Sequence, residues 1–473
     1  MSKRNPRTAH PSKSIWRPPL EEDSFRRNLV TLEERTNAVP IAPLAFDADV
    51  WMGGRESGGD GDHILPLKVE QQLADEFASL AAVEEGAQSV AAVCVEEVNR
   101  SLSVNPMRDE CENRNGNENE KQNSLRLRFA ALDTTLDSNI KLLLLEISAL
   151  LCQFTSSEEE CVEAIFEKVL TLHKRRLLAR LRSKKWEKPK YLAKSHKKAL
   201  WKDFENLKHR TQFLYSKKEK SSLSSILASL DFLAKIYADF EEIEDEGERL
   251  RDLVIKSYEF SVSGEARGYL KRLEDSVGKV ATSQVSSAIK SLRQIQKIGS
   301  YRRICYSLVN ISRAYKMVFE GGIEMEFLSG YEGVQTSVGY ESWAGSMHVH
   351  AEIQLCVFYD LLFQSSADKP STHAKPDFPK PRAIGISKSL CFLCFQFLQK
   401  HKGFFPSRTH GRLYDQWTVP DLEEFSEETV KKYTCILGSV DAEVRGLIED
   451  EPEGWRVEPM TSLDVYFSEA ANT

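Results

Sequence analysis

Val349-His350-Ala351-Glu352 and, about forty residues later, Cys391-Phe392-Leu393-Cys394 decide how this chain is read. The two stretches supply one imidazole, two thiols and one carboxylate. A structural zinc site closes its coordination with four protein ligands, whereas three leave the fourth position to water or substrate. His350, Cys391 and Cys394 are the candidate ligands. Glu352, two residues from the histidine, is left over as a candidate proton carrier. Residues 349–364 read as a helix that is apolar on nearly every side, residues 391–400 as a second helix, and 382–386 as a short strand between them. Upstream, Ile323-Glu324-Met325-Glu326-Phe327-Leu328 alternates with period two between glycines, as a half-buried strand does. The order strand, helix, strand, helix predicts a mixed α/β domain over 301–420, with both halves of the metal site at helix starts. Unpaired N–H groups at a helix start favour the thiolates that a metal requires.

Outward from this domain the texture changes. From about 125 to 300 long amphipathic segments, among them 140–154, 158–182, 222–241 and 286–296, predict an α-helical region. Its most polar part, 174–202, interleaves many cations with Trp186, Tyr191 and Trp201. Lys184, Lys185, Trp186 and Lys188 are the candidate polyanion-binding group there, set against the plainer reading of a solvated helix face. Residues 1–63, rich in Pro, Arg, Ser, Gly and Asp, read as mostly disordered. Residues 64–124 read as a helix over 67–98 followed by a polar linker with a hinge near 115. The stretch 365–381 carries four prolines and predicts a surface loop. Beyond 420 the acidic tail to 473 reads as an appendage that covers surface.

A chain of 473 residues is long enough for two or three folding units. Its formal charge of -7 argues against global binding to nucleic acid or anionic membrane, so any polyanion contact must be local. Nine cysteines, an odd number scattered along the chain, suit a reducing compartment rather than a disulfide scaffold. The start lacks an apolar signal core, and the greasiest run, 140–154, is shorter than the roughly 20 residues a membrane span needs. Cytoplasm or nucleus is the expected home.

The paired motifs resemble the zinc-dependent cytidine/nucleic-acid deaminase superfamily, whose signature is H-x-E followed by P-C-x-x-C. More narrowly, 387–394 together with His410-Gly411-Arg412-Leu413-Tyr414-Asp415-Gln416-Trp417 is similar to an uncharacterised deaminase-like family abundant in filamentous fungi. The resemblance covers roughly 300–420. It implies a five-stranded mixed sheet packed with helices, zinc on His350, Cys391 and Cys394, and Glu352 shuttling protons during hydrolytic deamination of cytosine or adenine, in nucleic acid or nucleotide. His348, His410, Tyr414 and Trp417 become candidates for the substrate pocket. One departure is that Leu390 stands where the superfamily usually has proline, which removes a rigid lead into the helix.

Two other readings compete. His348-Val349-His350 invites comparison with JAMM-type deubiquitinases, but the spacing puts Phe358 and Leu361 where that motif needs serine and aspartate, with Asp360 one residue early. The other rival is a non-catalytic zinc-stabilised protein whose helical region binds a partner.

Overall fold

The computed structural model describes residues 3–53, 63–84, 90–100, 122–131, 137–190, 198–244, 246–277, 282–340, 345–368, 376 and 378–450. The expected linker and hinge near 115, the glycine-rich run 54–62, part of the proline loop and the end of the acidic tail lie outside them. Strands are β1 (Leu44–Ala45), β2 (Ala91–Arg100), β3 (Gln122–Ala131), β4 (Ile323–Phe327), β5 (Val334–Gln335), β6 (Ser346–Val349), β7 (Gly385–Ile386), β8 (Arg408–Thr409) and β9 (Trp417–Thr418). Helices are α1 (Glu22–Thr36), α2 (Ala48–Gly53), α3 (Leu67–Ala81), α4 (Ser138–Leu151), α5 (Glu158–Leu181), α6 (Phe204–Leu214), α7 (Lys220–Glu242), α8 (Gly247–Val262), α9 (Gly264–Val277), α10 (Ser283–Ala314), α11 (Lys316–Phe319), α12 (Ala351–Asp368), α13 (Phe392–His401) and α14 (Glu427–Glu449).

The chain divides into two compact units. Over the described residues, the first takes 3–82, 90–155 and 311–450, and the second 83–84 and 156–310. The sheet of the first unit has the order β4-β3-β2-β7, with β3 and β4 parallel and the other neighbours antiparallel. Ala92, Cys94 and Val98 of β2 and Ile386 of β7 share one core with Ile353, Cys356 and Tyr359 of α12. The opposite face belongs to α3: Val93 pairs with Gly385, and a Cβ on that glycine would lie 2.0 Å from the Ala74 carbonyl carbon. Helices therefore cover both faces of a mixed sheet. The strand leading to His350 belongs to a separate sheet of order β5-β6-β9. Against the five-stranded sheet that the resemblance implied, the described residues form a four-stranded sheet and two smaller ones.

α3 closes the outer edge of β7 with side chains instead of another strand. Glu70 Oε1 accepts the Arg382 and Ala383 amides at 2.7 and 2.9 Å, Asp75 Oδ1 accepts the Ile386 amide at 2.8 Å, and Gln71 Nε2 donates to Ile384 O at 3.2 Å. The carboxylates are buried and matched: Glu70 pairs with Arg382, and Asp75 with Arg408. A buried charge broken from its partner is strongly destabilising, so these pairs fix the strand's register rather than merely decorating it.

Four expectations are corrected. Residues 3–53 are not a disordered tail: Ile15, Phe25, Leu29 and Leu32 sit in the core, and Asp421 bonds to Pro6, Thr8, Ala9, Ser14 and Ile15. The helix expected over 67–98 stops at Ala81, and 91–100 is a strand, which suits its β-branched Val93, Val95 and Val98. The start of the region read as helical, 125–131, belongs to β3, so with β2 two strands of the sheet come before 301 and the domain does not begin there. Residues 427–449 are not an appendage: α14 buries Val430, Tyr433, Leu437, Val440 and Val444.

Among the described residues the second unit's regular elements are helices, from α5 to α10. α5 starts in a capping box between Ser157 and Glu160, with acids at its first three positions favoured by the helix dipole. Its core gathers Ile165, Phe166, Val169, Leu230, Leu233, Tyr237, Ile295 and Ile298. Among the described residues no helix is long and apolar enough to cross a membrane.

Candidate metal and active site

β6 ends at Val349, and His350 is the residue before α12. Glu352 lies in the first turn of that helix and is buried. Cys391 is the N-cap of α13, where its sulfur accepts the Cys394 amide at 3.4 Å. A cysteine in the place usually held by Ser or Asp thus takes a hydrogen bond that suits a thiolate.

The segment 408–412 is the template that holds Cys391. Leu390 N donates to Arg408 O at 3.1 Å, His410 N donates to Leu390 O at 3.1 Å, and Phe392 N donates to Arg412 O at 2.8 Å. Thr409 Oγ1 adds a bond to Leu390 O at 2.8 Å. The first of these answers the departure from proline: a proline at 390 has no N–H to give, and this chain uses that N–H to tie the approach to α13 in place. Gly411 lets the template turn, with φ +75 and a Cβ position 2.1 Å from Ile41 O.

His350 Nδ1 lies 3.6 Å from Cys391 Sγ and 3.5 Å from Cys394 Sγ, and the three ligand atoms fall within 4.8 Å of one another. Zinc–sulfur and zinc–nitrogen bonds of about 2.3 and 2.05 Å at the tetrahedral angle put nitrogen and sulfur about 3.6 Å apart. The set therefore could hold a metal ion, and its two measured edges fit a tetrahedral one. Cys394 Sγ is also 3.6 Å from Glu352 Oε2, so the carboxyl borders the ligand set.

The electrostatics fit a site built for charge. Burial opposes ionisation of both thiols, yet the Cys394 thiol and the His350 ring hold Cys391 well below its ordinary pKa. Burial and the neighbouring Cys391 charge push Cys394 well above it. Burial lowers the proton affinity of His350, and the Cys391 thiolate more than offsets that, for a net rise. Burial raises Glu352 against the pull of His350. A bound cation would invert the balance at the thiols, since a coordinating thiol is deprotonated outright.

The pocket candidates separate. Tyr414 is half-buried and its ring centre is 6.4 Å from that of His350. His410 is buried behind it, edge-on at 6.0 Å, with Nδ1 accepting the Arg412 amide at 3.0 Å. Burial is the main reason its pKa falls to about 4, so the ring is neutral at pH 7. His348 lies on β6, its backbone bonded to Gln416 O at 2.7 Å and its ring against Gly333. It lies outside the ligand set. Trp417 is corrected: its side chain is wholly buried in the core, against Phe397 of α13, and offers no face to a substrate.

A second group with metal-type side chains, Cys356, Asp360 and His401, was not foreseen. Lys432 Nζ stands 3.0 Å from Asp360 Oδ2 and 2.7 Å from His401 Nε2. Lys380 Nζ and Tyr433 OH donate to the same carboxylate at 2.9 and 3.0 Å. The cluster is an ion-paired joint between α12, α13 and α14, complete without a metal.

In the second unit, Lys184 pairs with Glu242 at 2.9 Å, while Lys185 donates to Ile243 O and lies over the Phe240 ring at 4.8 Å. Trp186 is half-buried and Lys188 exposed. Lys174 and Lys198 pair with Glu246 and Asp203. Lys174 and Lys184 are thus matched by acids distant in sequence, and Lys198 by a near one.

Residues 349–421 match a family model described as OTT_1508_deam-like deaminase. The matched stretch holds His350, Glu352, both cysteines and the template segment. No curated protein and no solved structure matches the chain.

Proposed function

We propose that this chain is a zinc-dependent hydrolytic deaminase acting on a nucleobase, cytosine or adenine, in a nucleotide or nucleic acid. The observation that carries the reading is the His350, Cys391 and Cys394 set with tetrahedral edges and Glu352 at its border. His350 through Nδ1 and the cysteines through Sγ would hold the metal. When bound, zinc supplies Lewis acidity that makes water a nucleophile at neutral pH.

The rest falls to the chain's own groups. Glu352 Oε2 takes a proton as water oxygen bonds to the amine-bearing ring carbon and gives it to the adjacent ring nitrogen, then takes the remaining hydroxyl proton and passes it to the departing amine as the C–N bond breaks. Ammonia leaves, and a carbonyl replaces the amine. Burial helps Glu352 hold each proton between taking and giving it. Tyr414 offers an aromatic face beside His350 on which a base can stack, and neutral His410 backs it without adding charge. Deep burial of Glu352 and both cysteines keeps bulk water from the reacting atoms.

The test is Glu352→Gln in the full chain, assayed for zinc content and for ammonia release from cytosine and adenine nucleosides, nucleotides, single-stranded DNA and RNA. Zinc should remain at one ion per chain while turnover falls by about 10²–10⁴, the usual worth of a positioned proton carrier. Undiminished turnover in the variant refutes the role of Glu352. A zinc-loaded wild type that deaminates none of these substrates favours a structural zinc instead.

A further inference from the structure

We infer that the helical second unit carries a docking surface for single-stranded nucleic acid, built on α6 around Phe213. The inference goes beyond the deamination proposed above, because it needs neither the metal nor turnover.

The charge of the chain is unevenly placed. Residues 156–310 hold 32 lysines and arginines against 22 aspartates and glutamates, a formal +10, while the rest of the chain holds 32 against 49, a formal -17. A mildly acidic protein thus contains a strongly basic unit, of the sign that a phosphate backbone attracts. Within that unit Lys174, Lys184 and Lys198 are paired with acids. Lys202, Lys217 and Lys218 are exposed and form no ion pair among the described residues.

These cations border an exposed ring. Lys202, in the short 3-10 turn Leu200–Asp203 that leads into α6, is followed seven residues on by His209 and four further by Phe213, so the three share one side of the helix. The opposite side, with Phe204, Leu207 and Thr211, is buried. Lys217 and Lys218 lie in the turn just past the helix end. Phe213 is 67% exposed. His209 meets it edge-on at 5.2 Å and the Arg210 guanidinium lies over it at 5.0 Å, so the ring is braced while most of it faces water. Such a ring among cations is a platform on which any base can stack. Of the acids nearby, Asp231 is held by Lys208 and Glu219 by Arg272, while Glu205 flanks the stripe.

The class of partner follows from what accompanies the ring. A duplex keeps its bases stacked on one another and offers Phe213 no face. An anionic membrane needs a contiguous apolar face to take up, and the exposed neighbours of Phe213, Gln212, Ser216 and the lysines, are polar. A flexible strand meets both features at once, with phosphates on the cations and bases on the ring.

The test measures binding of labelled oligo-uridine and oligo-thymidine to the full chain by fluorescence anisotropy across a salt series. Phosphate contacts from Lys202, Arg210, Lys217 and Lys218 give log affinity a slope of about -3 against log salt. Lys217→Gln combined with Lys218→Gln should flatten that slope by about half. Phe213→Ala should weaken binding about 10-fold or more, and Phe213→Trp should restore it. A strand of equal length without bases should bind the wild type as weakly as the full strands bind Phe213→Ala. That comparison needs no variant, so it stays decisive if Phe213→Ala fails to fold. Equal binding of strands with and without bases, or binding of neither, overturns the inference. Tighter binding to phosphatidylserine vesicles than to strands assigns the patch to a membrane and overturns it too. Glu352→Gln should bind strands as the wild type does, so a failure of docking and a failure of deamination are told apart.

Discussion

Leu390→Pro restores the residue that the superfamily signature carries, and in this chain it should weaken the site. The substitution removes the Leu390 N–H that Arg408 O accepts at 3.1 Å, in a segment where Leu390 is 1% exposed and Arg408 is 9% exposed. Leaving that carbonyl unmet in the interior costs about 1–3 kcal/mol. The smaller side chain forfeits part of a fully buried leucine, about 1 kcal/mol. The rigid ring returns about 0.4–1 kcal/mol by restricting the unfolded chain. The balance is a loss of about 2 kcal/mol, which for a unit of this size lowers the thermal midpoint by about 4–8 °C. Zinc affinity should fall as well, because Leu390 and Phe392 are the two anchors of Cys391. The assay is a melt of wild type and variant at matched zinc saturation, with zinc competition alongside. A variant that melts at or above the wild type and binds zinc equally would refute the claim that this N–H takes over the work of the proline.

Gly385→Ala should cost more than about 3 kcal/mol, since the new methyl would meet the Ala74 and Asp75 backbone at 2.0 and 2.3 Å and force α3 off the β7 edge; a denaturant midpoint unchanged from wild type would show that α3 has room to shift. His410 gives a pH dependence with a definite sign. Its folded pKa of about 4 lies below the ordinary 6.5, so the unfolded state binds the proton more readily. Stability is then complete above pH 6.5 and declines as pH falls from 6.5 towards 4, by up to about 3 kcal/mol. In His410→Asn, whose side-chain oxygen can still accept the Arg412 amide, the variant's stability curve should lose that slope; an unchanged slope would assign the effect to other groups.

The candidate ligand set could be read from sequence because its geometry is local. A helix start fixes the Cys391 and Cys394 spacing, and His350 with Glu352 spans less than one turn. The sheet that carries them could not, because its pairing is remote. β3 announces itself in the alternation Leu125-Arg126-Leu127-Arg128-Phe129, but Arg126 and Arg128 make sense as inward members only once Glu96, Glu324 and Glu326 are across from them. The N-terminal segment is polar on average, and Phe25, Leu29 and Leu32 form a stripe that has value only against an existing core. The same limit applies to Trp417, since sequence places an aromatic near a metal motif without telling whether it faces a base or packs in the core. The acidic stretch after 420 hid α14 because its charges lie on one face and its core residues on the other.

The placement of the second unit bears on the order in which the chain can fold. β3 must pair with β4 across 156–310, a gap that in an unstructured chain would delay contact during synthesis. Within that segment, however, its two ends already meet: Arg302 and Tyr306 near the end of α10 bind Glu159 at the start of α5. Once those helices have assembled, the intervening residues behave as a short clasp rather than a long loop, and the entropy of joining β3 to β4 shrinks accordingly. The described residues of the helical unit are all made before Cys391 and Cys394, so that unit can assemble before the metal pocket closes.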